Sequence, residues 1–158
     1  MKTYLWVAVS LLISSESWAA LNCNSTIKNQ SVRDDIKAGR NCTLENLIIH
    51  GDISVEKNAN VILKNNMING NIVAKKAFSQ LNASDNTIQG SIRLESGQLV
   101  KLQNNQIKGS IHLHENKGHI FIERNHITGD LVCTKNSFSL QVNKNQIQGT
   151  QRDQCQRL

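Results

Sequence analysis

Six glycines, Gly51, Gly70, Gly90, Gly109, Gly129 and Gly149, recur along the chain at intervals of 19, 20, 19, 20 and 20 residues. At its fullest the surrounding phrase reads Asn-x-Ile-x-Gly-x-Ile-x-Leu, as in Asn86 to Leu94. A repeat this short cannot bury its own apolar face, so each unit must stack on its neighbours, and the fixed period predicts a β-solenoid.

Numbered from each glycine, the apolar residues fall into columns. Two residues before it stand Ile49, Ile68, Ile88, Ile107, Ile127 and Ile147; two after it stand Ile53, Ile72, Ile92, Ile111 and Leu131. Val55, Ala74, Leu94, Leu113 and Cys133 continue that face by period-two alternation. A second face comes from the pairs nine and seven before the glycine, such as Val61/Leu63, Val100/Leu102 and Ile120/Ile122. The expected coil has two firm strand faces and a shorter third around the isoleucine before the glycine. Proline is absent, as a continuous backbone ladder requires. A sandwich of antiparallel hairpins gives no reason for one glycine column at a fixed period.

Asn66, Asn86, Asn105, Asn125 and Asn145 lie four residues before successive glycines. A short amide at a bend can bond local backbone and tolerate a left-handed conformation, or it can bond its counterpart one coil away, about 4.8 Å off. The glycines admit either a positive φ or close backbone approach. Both columns therefore read as architecture.

Residues 1–19 carry the pattern of an export signal: Lys2, a short apolar stretch from Tyr4 to Ile13, and Ser17-Trp18-Ala19 before Ala20. That stretch is shorter than the roughly 20 residues a membrane span needs. The expected layout is then an N-terminal cap over 20–41, a solenoid of about six coils over 42–150 and a C-terminal cap over 151–158. Within the first cap, Ser31 to Lys37 can be read as one or two helical turns or as an irregular loop. Export places Cys23, Cys42, Cys133 and Cys155 in an oxidising compartment. Of the three possible pairings, Cys23–Cys42 and Cys133–Cys155 is favoured, because each bond closes about one coil at one end of the stack; such a loop contributes about 3 kcal/mol on the chain-entropy account. The Cys-x2-4-Cys spacing of a zinc site is missing.

The phrases Asn66 to Ile72, Asn86 to Ile92, Asn105 to Ile111, Asn125 to Cys133 and Asn145 to Gly149, followed by Cys155, resemble small secreted bacterial right-handed parallel β-helix proteins whose coils read Asn-x-Val-x-Gly-Asn-Leu and end in a cysteine. The resemblance covers about residues 42–158. It implies an all-β, right-handed single-domain fold and export, periplasmic or extracellular, and it offers no catalytic residues to carry over.

Chemistry must therefore be sought on outward positions and variable turns. Asp52 and Asp130 both follow a repeat glycine, but four coils at about 4.8 Å put them about 19 Å apart, too far to share one glycosidic bond. Glu95 and Glu115, in neighbouring turns with His114 and Arg93 close in sequence, form the one acidic cluster that could serve a polysaccharide lyase or hydrolase. His112, His114, His119 and His126 crowd two coils without implying a shared metal site, and no cofactor motif is present. The formal charge of +6 suits an acidic partner. An exported, non-enzymatic binding surface is the preferred expectation, with Arg93, Lys101, His112, Phe121 and Arg124 as its candidate residues and an envelope component, host protein or acidic glycan as partner. Nucleic acid is disfavoured, because aromatics interleaved with basic residues are lacking.

Overall fold

The computed structural model describes residues 19–157. They form an all-β parallel solenoid of about seven coils, built as three parallel sheets of eight, seven and seven strands. Each coil contributes one strand to each sheet, and every strand but the first and last of a sheet pairs with the strands one coil before and after it. Sheet I holds the residues after the glycine, for example Ile92–Glu95 and Ile111–His114. Sheet II carries the longest strands, such as Gln80–Ser84, Leu99–Gln103 and His119–Glu123. Sheet III consists of two-residue strands such as Thr87–Ile88 and Gln106–Ile107, the short face expected around the isoleucine column.

Identical columns stack in register: Ile72 pairs with Ile92, Ile92 with Ile111, and Ile111 with Leu131. Ile53, Ile72, Ile92, Ile111 and Leu131 are all fully buried, as are Val61, Leu63, Val100, Leu102 and Ile122 on the opposite wall. Strand periodicity of two sends alternate side chains into this core and the rest outward. β-Branched residues dominate because each packs against its own kind one coil away.

Residues 20–41, expected as a cap, carry strands of the ladder itself. Ser31–Val32 and Ile36–Ala38, where a helical turn or loop was expected, are strands of sheets III and I. The repeat is hidden there because the first coils are shorter: fifteen residues separate Leu21 from its partner Ile36, and seventeen separate Ile36 from Ile53. Neither short coil has a glycine in the column position. At the other end, Gln151–Asp153 adds an eighth strand to sheet I and a 3-10 turn, Gln154–Arg157, folds over the last coil. Disulfides join Cys23 to Cys42 and Cys133 to Cys155, each with Cα atoms 5.3 Å apart. Most of the expected export segment, residues 1–18, lies outside the described residues. Among the described residues no helix is long and apolar enough to cross a membrane.

The glycine column proves to be one of close approach. None of the glycines has a positive φ. A Cβ at Gly90 would lie under 3.0 Å from the carbonyl of Gly70, one coil back, a contact with backbone that no side-chain rotation relieves. Replacing Gly90 with alanine should therefore cost about 1–3 kcal/mol as an overpacking strain and lower the unfolding temperature by several degrees. Thermal unfolding unchanged from the parent would contradict this role.

Candidate functional site

The bends use polar side chains as backbone. Asn86 donates from both its main-chain N–H and its Nδ2 to Oδ1 of Asn105, each at 3.0 Å. Asn105 does the same to Asn125 at 2.9 Å. Nδ2 of each asparagine also reaches a carbonyl of the preceding coil, as Asn105 does to Ala83 at 2.9 Å. Asn66, Asn86, Asn105 and Asn125 are buried, and Asn145 is half-buried at the last coil. Of the two roles open to this column, the inter-coil ladder is the one realised. Positive φ falls instead on the residue just before it, at Asn65, Asp85, Asn104, Arg124 and Lys144.

Two further ladders were not legible as such. The residue after the column glycine, and its counterpart Asp35 in the shorter second coil, accepts the main-chain N–H of its equivalent one coil on: Asp35 from Asp52, Asp52 from Asn71, Asn71 from Ser91, Ser91 from Ser110, Ser110 from Asp130 and Asp130 from Thr150, at 2.6 to 3.1 Å. The position requires only a short side chain with an acceptor oxygen, so its chemical identity varies while its geometry does not. Asp52 and Asp130 are thereby given a structural task. The third ladder lies at the bend entering sheet II, where Gly97 N–H donates to Asn116, Asn116 to Asn136 and Asn136 to Gln154 of the terminal turn, at 2.8 to 3.1 Å. Earlier coils fill that position with Ala59 and Phe78, both buried, and the Phe78 ring occupies the space that a Cβ at Gly97 would need. Only the twenty-residue spacing of Asn116 and Asn136 hinted at this column in sequence.

The expected binding residues divide between faces. Arg93 and His112 are register neighbours on the outer side of sheet I. Lys101 and Phe121 are register neighbours on sheet II, with the Lys101 ammonium 5.6 Å from the Phe121 ring centroid. Arg124 stands at the bend between sheets II and III, where its Nε donates to Asn104 Oδ1 at 2.9 Å and its Nη1 lies 3.9 Å from Glu123. The acidic cluster is partly assembled. Glu95 is the register partner of His114, while Glu115 is set at a positive φ of 51° and lies 3.4 Å from His114 Nε2 and 3.5 Å from Lys135 Nζ. His114 Nδ1 is also 2.8 Å from the Thr134 hydroxyl. Among the described residues no group of three or more His, Cys, Asp or Glu side chains is arranged to hold a metal ion.

No protein-family model, curated protein or solved structure matches the chain.

Around Arg93 and His112 the field is positive but partly compensated. Arg152 Nη2 pairs with Asp130 at 3.0 Å, and the backbone N–H and hydroxyl of Thr150 hold the Asp130 carboxyl below its ordinary pKa. Partial burial, then the Arg93 charge, push His112 below its ordinary value of 6.5; Asp130 opposes this and Arg152 adds to it. Because the folded chain takes up this proton less readily than the unfolded chain, the His112 contribution is fully favourable above about pH 6.5 and is lost as the pH falls below it. An NMR titration should place the His112 midpoint below 6.5, with Arg93→Gln moving it up and Asp130→Asn moving it down. A midpoint insensitive to both changes would refute the assigned field.

Proposed function

We propose that the chain is an exported, non-enzymatic β-solenoid, periplasmic or extracellular and of bacterial type, that presents a rigid basic surface to an anionic partner, foremost an acidic glycan, and otherwise an envelope or host component. The observation that carries this reading is the division of labour among polar residues. The repeated asparagines, the acceptors after the glycines and the buried amides at the third bend are spent on inter-coil bonds, while the outward rows differ from coil to coil. Binding on solenoids resides on such variable positions. The net charge of +6, two disulfides and the resemblance to secreted β-helix proteins support the partner class and the compartment.

A second reading, a polysaccharide lyase or hydrolase, draws on the contacts around Glu115. His114 approaches both Glu115 and Thr134, and Glu95 neighbours it in register, so a proton could pass between an imidazole and a carboxylate there. Immobilised protein incubated with acidic glycans, lipopolysaccharide and envelope extract separates the two. The binding reading expects retention at low salt that weakens at high salt, with no product released from uronate polymers. Product release abolished by Glu115→Gln would establish the enzymatic reading, and no retained ligand at either salt would count against the binding one.

A further inference from the structure

We infer that the C-terminal half of sheet II carries a glycan-binding site, in which Phe121, His119 and Phe138 form the platform for sugar rings and Lys101 receives the carboxylate of an acidic sugar. This rests on the acidic-glycan reading above and gives it a place and a ligand geometry.

The platform is made by adjacent coils. Strands Leu99–Gln103, His119–Glu123 and Leu140–Asn143 lie side by side, so outward residues at equivalent positions stand about 4.8 Å apart. His119 and Phe121 leave the same face of one strand, with ring centroids 6.2 Å apart and planes inclined at 30°. Phe138, in the turn entering the next strand, brings its ring to 5.2 Å from His119. Two of the three phenylalanines of the chain thus flank His119 on one outer face, where Phe138 is 50% exposed and Phe121 half-buried. The apolar face of a pyranose is the size of one such ring, and sugars succeed one another along a chain at a spacing close to the 5.2 Å between the His119 and Phe138 rings.

The surroundings are polar in the manner a sugar requires, with ring faces met by aromatic carbon and ring edges by hydrogen-bonding groups. Phe138 forms one wall of an open groove of about 720 Å³ whose other lining includes Ser137, Ser139, Gln156 and Asp153. On the opposite side of the rings, the Lys101 ammonium lies over Phe121 and pairs with no carboxylate among the described residues. Beside it in the strand of the preceding coil, Asn82 Oδ1 is buried without a donor; its register neighbours are Ile62, which has none to give, and Lys101, whose ammonium is turned to the ring. The Lys101 ammonium, redirected by a ligand carboxylate, supplies that donor. The charges orient the ligand. Asp153 at the groove repels a carboxylate and Lys101 attracts one, so the fitting chain has acidic sugars separated by neutral ones rather than a carboxylate on every ring.

The test uses the full mature chain and isothermal titration with three probes: a hyaluronan oligosaccharide, in which uronate and N-acetylhexosamine alternate, a polygalacturonate oligosaccharide and a neutral cello-oligosaccharide of equal length. The alternating probe should bind most tightly. Phe138→Ala should weaken it about tenfold, as loss of an aromatic anchor does, Lys101→Gln should erase its advantage over the neutral probe, and Lys37→Gln, at the far end of sheet I, should leave it unchanged. Thermal unfolding of each variant confirms that the solenoid is intact. Equal binding by the parent, Phe138→Ala and Lys101→Gln chains would overturn this site while leaving the acidic-glycan reading in place. Failure of all three probes, with lipopolysaccharide or envelope extract still retained, would overturn the site alone; failure of every ligand would overturn both.

Discussion

The solenoid depends on side-chain oxygens of one coil accepting main-chain N–H groups of its neighbour at the bends, at two corners along most of the stack and at the third in the C-terminal coils. Parallel strands satisfy one another's backbone groups along the flat faces, but a chain that turns three times per coil breaks that ladder at every corner. A buried N–H left there without a partner costs about 1–3 kcal/mol, and repeated over seven coils such costs would exceed the stability of an ordinary domain. Asparagine at Asn86, Asn105 and Asn125 supplies the missing acceptor, to the N–H of Asn66, Asn86 and Asn105 in turn, and occupies the corner as well. Where the second coil has Leu47 instead, its N–H still donates to Asn66 Oδ1 at 3.0 Å, so the column runs one coil past its first amide.

This constraint orders the remaining features. Oxygens at the corners fix the approach of adjacent coils, and at that approach the column after the isoleucines has no room for a Cβ. The same approach stacks isoleucine on isoleucine, which makes the core a set of columns and confines its size changes to compensating positions such as Phe78 and Gly97. A stack of this kind is weakest at its ends, where coils have one neighbour. Both disulfides lie there, and Gln154 of the terminal turn closes the third amide ladder through two bonds to Asn136, received at Oε1 from its N–H and Nδ2 at 2.8 and 3.0 Å.

Much of this was legible in the sequence because the period exposes it. The inward columns, the three faces and the asparagine column, with its inter-coil ladder as one of two open roles, follow from residues that recur at one spacing, and the disulfide pairing follows from bonds that each close about one coil. The first coils were hidden for a physical reason: shorter turns at Leu21 to Ile36 and Ile36 to Ile53 shift the register and dispense with the column glycine, so their strands do not align with the later phrase. The ladder through Asp52, Ser91, Ser110 and Asp130 was obscured because its requirement is for an oxygen at a given height, which three residue types meet equally well. Positive φ, one of the two options that the glycine and asparagine columns left open, falls one residue before the asparagines, since in-register stacking puts the tight turn at Asn65, Asp85 and Asn104. The aromatic platform could not be read at all beyond the outward direction of Phe121, because Phe138 reaches His119 from a turn with no period.

Functionally, the chain divides into residues that neighbouring coils consume and residues that they leave free, and everything proposed about binding rests on that division. Native-state hydrogen exchange measured by NMR tests it most directly. If the corner amides are structural, the main-chain N–H groups of Asn86 and Asn105 and their side-chain Nδ2 protons exchange as slowly as the strand amides of Ile92 and Ile111. Corner protons that exchange at the rate of an exposed turn, while the strand amides stay protected, would contradict the claim that these side chains hold the coils together.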